Sequence, residues 1–215
     1  VNDGLLSNLA LIIGVDATGA GASDPHTLVL TGLAGLIAGA FSMAVGEYTS
    51  VASQRDLLAR QIALERRELE EAPEEEAAEL ALLFKQKGLS TEQASRTAAE
   101  LLKNPEHALH TLVREELGVE PEDLGSPWAA AGSSFATFAL GALIPVLPFL
   151  LGASGTTAVA VASALAFAVL AGVGGLVGFL SGTSVWLSAG RMVGLGALAS
   201  AVTFGVGRLF GAVVG

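Results

Sequence analysis

Charge is confined to one stretch of this chain. Residues 55–123 hold nine of the eleven Lys and Arg residues and seventeen of the twenty-one Asp and Glu, leaving Asp3, Asp16, Asp24, Glu47, Arg191 and Arg208 outside. Long runs of Gly, Ala, Leu and Val lie on either side. A chain divided this way cannot close around one water-soluble core, because its flanks have no polar face to turn toward water. Only 15% of the 215 residues are charged, against roughly 25% in ordinary soluble domains. The expectation is an all-α membrane protein with a single extramembrane domain.

Crossing a bilayer takes about 20 apolar residues, and five segments approach that length. Residues 3–15 are too short alone. The chain begins without Met inside this apolar run, so the segment is expected to be the end of an N-terminally truncated first span. The others are 28–51, 128–151 (containing Pro145 and Pro148), 156–182 and 185–214. Spans 1 and 2 then occupy residues 1–54, a glutamate-rich domain 55–126, and spans 3–5 residues 127–215. The loops near 16–27 and 152–155 carry no Lys or Arg, whereas Arg55, Arg60 and Arg191 fall on the opposite side. That asymmetry places the acidic domain in the cytoplasm. The Ala/Gly-rich composition points to a bacterial plasma membrane, with a vacuole-type membrane as the alternative.

Within the domain the signals are helical. The second span meets no proline until Pro73, so its helix is expected to run on past the membrane. A helix over 74–87 ends at Gly88. Ser90 and Gln93 form a capping box for a third helix, and Asn104-Pro105 opens one that ends at Gly118. Glycines 194, 196, 205, 207, 211 and 215 in the last span favour close packing, within one chain or across a dimer.

Several chemistries are excluded. There is no cysteine, so a metal site must use carboxylate, imidazole, thioether or backbone oxygen. A net charge of −10 opposes nucleic acid and suits cations. With no paired nucleophile and base and no phosphate loop, the chain reads as a non-enzyme without a prosthetic group. Glu65 and Glu68 share one helical face, as do Glu76 and Glu79. Reversal at Pro73 allows the two pairs to face each other, with Glu116 closing the set. Such clusters bind divalent cations; the competing reading is a solvated acidic helix with surface pairs such as Glu65–Arg66–Glu68. His107 and His110 read as exposed non-ligands, because Glu116 lies on the opposite side of their helix from His107.

Carboxylates inside spans are costly and mark function. Asp3 lies in the first span, one turn from Ser7. Gly35, Gly39, Met43 and Glu47 repeat every fourth residue along the second, placing a thioether and a carboxylate a turn apart. A soft sulfur beside carboxylates suits ferrous iron or manganese better than calcium.

The segments VNDGLLSNLALIIGV, GLAGLIAGAFSMAVGEYTSVASQRD and SSFATFALGALIPVLPF, with the glutamate-rich insert between the last two, resemble the vacuolar iron transporter family of divalent-metal/proton exchangers. The resemblance covers the whole chain in order. It implies a homodimer of five-span protomers, a path between the first two spans at the dimer interface, and a three-helix cytoplasmic metal-binding domain inserted between spans 2 and 3. Aligned from Met43, the family's metal-domain glutamates fall on Glu65, Glu68, Glu76, Glu79 and Glu116, and its pathway aspartate and methionine on Asp3 and Met43. The chain departs from plant members at Gly35, where they are acidic, and at Glu47, where they have glycine. Two methionines of a plant member correspond to Leu112 and Val113. The implied substrates are ferrous iron, with manganese or zinc as alternatives, and protons. A membrane-anchored metal buffer or sensor without transport is the second reading.

Overall fold

The computed structural model describes residues 1–214, and these are mostly helical, with no strand among them. In order the elements are α1 (Asn2–Ala17), α2 (Ala20–Ser23), α3 (Pro25–Glu71), α4 (Pro73–Gln86), α5 (Thr91–Leu101), α6 (Pro105–Leu112) with a π-helical turn (Val113–Leu117), α7 (Pro127–Leu143), α8 (Leu147–Leu150), α9 (Gly155–Leu180) and α10 (Val185–Val214). They form two compact units: Val1–Glu47 with Ala129–Gly215, and Tyr48–Trp128.

Among the described residues three helices are long and apolar enough to cross a membrane: His26–Glu71, Gly155–Leu180 and Val185–Val213. The first segment, α1, has 16 residues, and α7 has 17. The third apolar segment is two pieces rather than one. Pro145 and Pro148 lack the N–H a helix needs, so the chain leaves α7 after Leu143, turns through Val146 N–H donating to the Leu143 carbonyl (3.0 Å), and re-enters as α8. The Gly-rich connection after α1 contains a short helical turn, α2, which its composition did not suggest.

In the first unit, Ile12, Leu28, Val146, Phe149, Ala158 and Ala162 form one core cluster, and Leu5, Leu9, Ala166 and Leu170 another. Glycines allow backbones to touch. A Cβ at Gly4 would lie 2.2 Å from the Phe138 carbonyl oxygen, and one at Gly141 would lie 2.1 Å from that of Val1, so α1 and α7 meet main chain to main chain. In α9 the buried positions Ala158, Ala162, Ala166, Leu170, Gly174 and Gly178 recur every fourth residue, the small-residue stripe expected of helices packed in lipid. The glycines of α10 divide. Those at 196 and 207 pack against Leu6 and Gly14 of α1 and that at 211 against Thr18 just after it, whereas Gly194 and Gly205 have open space before them. Gly215 lies outside the described residues.

The second unit begins where α3 continues without a break. Asp24 caps α3 by accepting from the His26 backbone N–H at 3.0 Å, and no proline follows Pro25 until Pro73. The Ser90 capping box forms, with Gln93 N–H donating to Ser90 Oγ (3.3 Å) and Ser90 N–H donating to Gln93 Oε1 (3.1 Å). Leu80, Ala98 and Leu112 make the core, against which Leu69, Phe84 and Leu101 pack. Gly118 stops the last helix with φ of 68°, a conformation for which glycine carries no Cβ penalty.

Candidate metal-handling sites

Five glutamates gather in the second unit. Glu65 sits half-buried on α3 and feels the charges of Glu116, Glu76, Glu68 and Glu79. Burial, and then this repulsion, push its carboxyl from 4.5 up to about 7. The Glu76 carboxyl on α4 is raised by burial and by Glu79, Glu68 and Glu116, and that of Glu116, in the π-helical turn, by burial and by Glu79 and Glu68. Glu76 is only 5% exposed, and its Oε2 is buried without a hydrogen-bond partner. Burying a carboxylate oxygen unpaired is costly, so this cluster is held together against its own electrostatics by the helices that carry it.

Three cations of this unit are engaged elsewhere. Arg66 donates to Glu106 at 2.7 Å rather than pairing with Glu65 and Glu68, so the surface-pair reading of that sequence does not describe the fold. Lys87 is paired with Glu115, and Lys103 with Glu100 at 2.6 Å. Among the described residues no three His, Asp or Glu side chains stand close enough to grip an ion as they are. The cluster is gathered but open, as mutual repulsion dictates.

His107 is exposed, and its backbone N–H serves the Asn104 cap. His110 faces Glu120 and Glu122 at 3.5 and 3.8 Å. Neither is among the groups that shift Glu65, Glu76 or Glu116. Leu112 and Val113 are fully buried, so these two positions serve packing. The π-helical turn itself has no signature in the sequence.

The membrane-class candidates meet in the first unit. Asp3, Met43 and Glu47 line one cleft of about 270 Å³ with Ser133, Ser134 and Thr137 of α7. Asp3 and Met43 also line an adjoining cleft of about 290 Å³ with Ser7, Asn8, Leu11, Gly35, Gly39 and Ser42. The four-residue stripe on α3 therefore faces this groove along its length. Phe138 borders both clefts, and a Cβ at Gly39 would fall 2.2 Å from its ring, so glycine lets the aromatic form the floor. The α7 hydroxyls and Asn8 were not singled out from the sequence. For Asn8 the available signal was an amide in the otherwise apolar run after Ser7.

Comparison with known proteins extends these observations. Residues 1–208 match the VIT family. The chain is 34% identical over 209 residues to vacuolar iron transporter 2 of Oryza sativa subsp. japonica, covering 97% of this chain and 83% of that protein. It is 37% identical over 190 residues to the vacuolar iron transporter of Acanthamoeba castellanii, covering 88% and 72%. With vacuolar iron transporter 1 of Arabidopsis thaliana it shares 34% over 205 residues, covering 95% and 80%. A match of this extent, carried by a chain whose apolar helices flank a gathered set of carboxylates, makes the protein a member of the VIT family.

Proposed function

We propose that this protein transports ferrous iron, with manganese or zinc as alternative substrates, out of the cytoplasm in exchange for protons. The family consists of transporters, not enzymes. The observation that carries the reading is the cluster around Glu65, where burial and the charges of four neighbouring glutamates push its carboxyl up to about 7. A divalent cation relieves that repulsion and displaces the proton, so metal and proton compete for the same oxygens.

In this reading Glu65, Glu68, Glu76, Glu79 and Glu116 capture cytoplasmic metal, and Asp3, Met43 and Glu47 bind it in passage. Five spans cross the membrane: α1, the apolar part of α3, α7 with α8, α9 and α10. At 1.5 Å per residue, the 47 residues of α3 measure about 70 Å, more than twice the hydrocarbon thickness. Its charged last third, from Arg55, therefore belongs in water. Tyr48 and Trp128 pack with ring centroids 4.8 Å apart where the apolar stretches of α3 and α7 end, a position suited to the membrane interface. Two copies joined across the Asp3–Met43 groove form the path. The membrane is a bacterial plasma membrane or a vacuole-type membrane, with the acidic unit on the cytoplasmic side.

Uptake of Fe2+ into proteoliposomes under an imposed pH gradient, with oxygen excluded, tests this. Gradient-driven flux that Asp3→Ala and Met43→Ala abolish is the expected result. Saturable metal binding with no flux under any gradient would instead favour a membrane-anchored buffer or sensor. Flux unchanged in the double variant would remove those two residues from the path.

A further inference from the structure

Asn8 is 2% exposed and lies in the apolar first helix, yet only half of its amide is satisfied. Its Nδ2 donates to the Gly32 carbonyl of α3 at 3.0 Å and to the Ala142 carbonyl of α7 at 2.7 Å, using both of its hydrogens. Those two bonds decide which way the amide points, because the flipped arrangement would set Oδ1 against two carbonyl oxygens. Oδ1 is therefore turned the other way, where it is buried and has no hydrogen-bond partner. A buried oxygen left in this state costs about 1–3 kcal/mol.

The surroundings of that oxygen are specific. It lies against Gly35, where a Cβ would approach it to 2.5 Å, so the oxygen occupies room that only glycine leaves on α3. The same Cβ would come within 2.7 Å of Leu11 Cδ2, so the Leu11 side chain packs at the same spot. Asn8, Leu11 and Gly35 line the 290 Å³ cleft together with Asp3, Ser7, Ser42 and Met43. Leu11 is 41% exposed, so its side chain has room to turn away.

We propose that the side-chain carbonyl of Asn8 is a metal-binding oxygen of this cleft, uncovered when Leu11 turns and contributing beside Asp3 and Met43. It deepens the transport reading, on which the identity of the ion rests. An amide carbonyl is a hard oxygen donor that takes divalent cations without adding charge. Together with one carboxylate and one thioether it makes a mixed donor set suited to borderline metals such as Fe2+, Mn2+ and Zn2+. A neutral third donor also strengthens binding less than another carboxylate would, and an ion in passage must be able to leave. The two donor bonds hold the oxygen in position, so the amide is both a clamp on α3 and α7 and a ligand.

The test uses the full-length protein in proteoliposomes with Zn2+. Asn8→Ala removes the oxygen. Gly35→Ala keeps the Asn8 amide but sets a methyl group 2.5 Å from the present place of Oδ1, so the oxygen must give way. Gly46→Ala adds the same methyl to the same helix where nothing lies within 4 Å, and serves as control. The first two are expected to raise the half-saturating Zn2+ concentration about tenfold, with the control unchanged. A folded Gly35→Ala protein with wild-type half-saturation would overturn the proposal.

A second measurement needs no variant to fold. The chain has three asparagines, Asn2, Asn8 and Asn104, so a protein labelled with 13C at the Asn side-chain carbonyl gives three signals. The Asn8 signal is expected to shift as Zn2+ is added to saturation by calorimetry, and not with NaCl of equal ionic strength. An unmoved signal means the amide is a helix clamp alone, which overturns the proposal. A shifted signal from a wild-type protein that carries no flux supports the ligand and removes the transport reading instead.

Discussion

Replacing Glu65 by Gln isolates the electrostatics of the acidic cluster. The Glu65 carboxyl stands at about 7 in the fold against 4.5 ordinarily. Between those values the folded chain holds a proton that the unfolded chain has lost. By linkage, stability is then full below 4.5 and declines as the pH rises through 7. The raised value corresponds to a ceiling of roughly 3 kcal/mol. Glu65 is half-exposed, and solvent screening reduces this to on the order of 1 kcal/mol.

Glu65→Gln removes the ionisable group and keeps the shape. It should stabilise residues 48–128 by about that amount at pH 8 and leave them unchanged at pH 4.5, with metal chelated. For a domain of this size 1 kcal/mol moves the midpoint by about 4–8 °C. Trp128 reports on this unit, and Trp186 is the only other tryptophan. Thermal unfolding in detergent, followed by Trp128 fluorescence in a Trp186→Phe background, reads the shift directly. A Glu65→Gln midpoint at or below the parent's at pH 8, or an equal gain at pH 4.5, would refute the claim that burial and carboxylate repulsion together raise Glu65.

In the proposed reading the same cluster sets the pH dependence of metal binding. Calorimetric Mn2+ affinity of the full chain should fall as the pH drops below 7, by up to about tenfold per pH unit for the Glu65 proton alone; an affinity constant from pH 8 to 5.5 would exclude that proton from the exchange. Gly4→Ala drives a methyl into the Phe138 carbonyl and should destabilise the first unit by at least about 1–3 kcal/mol, seen as a lower midpoint by circular dichroism. Ser90→Ala breaks the capping box and should cost the second unit about 1 kcal/mol, measurable by the Trp128 assay.

Local signals in the sequence reached the structure where backbone chemistry is local. Pro73, Gly88, Ser90 with Gln93, Asn104-Pro105 and Gly118 each end or begin a helix, because a missing N–H, a cap or a positive φ acts on its own turn. The long α3 was legible from the absence of proline. What the sequence did not reveal depends on contacts between distant segments. The π-helical turn at Val113–Leu117, which carries Glu116, follows from packing and has no motif. The amide of Asn8 becomes informative only when Gly32 and Ala142, 24 and 134 residues away, take up its donors. The division of the α10 glycines into packed and open ones likewise depends on which faces α1 covers. The expectation of five spans was drawn from apolar length. The break after Leu143 shows how two prolines can leave that length intact while dividing the helix.

The two groups of candidate ligands differ in the way their surroundings demand. Outside a bilayer a carboxylate is less costly to maintain, so five of them can be gathered even with Glu76 buried, and the free energy of their repulsion becomes available to whatever cation neutralises them. Inside a bilayer each ionised carboxylate costs several kcal/mol, and the α1–α3 groove has Asp3 and Glu47 with hydroxyls, a thioether and the Asn8 amide as its other polar groups. In the proposed transport a site of the first kind binds strongly and yields its ion when protons return, the role assigned to Glu65. A site of the second kind binds weakly, with neutral donors that hold an ion only while it passes. Exchanging the two designs would fail on both counts: five carboxylates in the groove would trap the ion or stay protonated, and neutral donors in water would lose the ion to hydration.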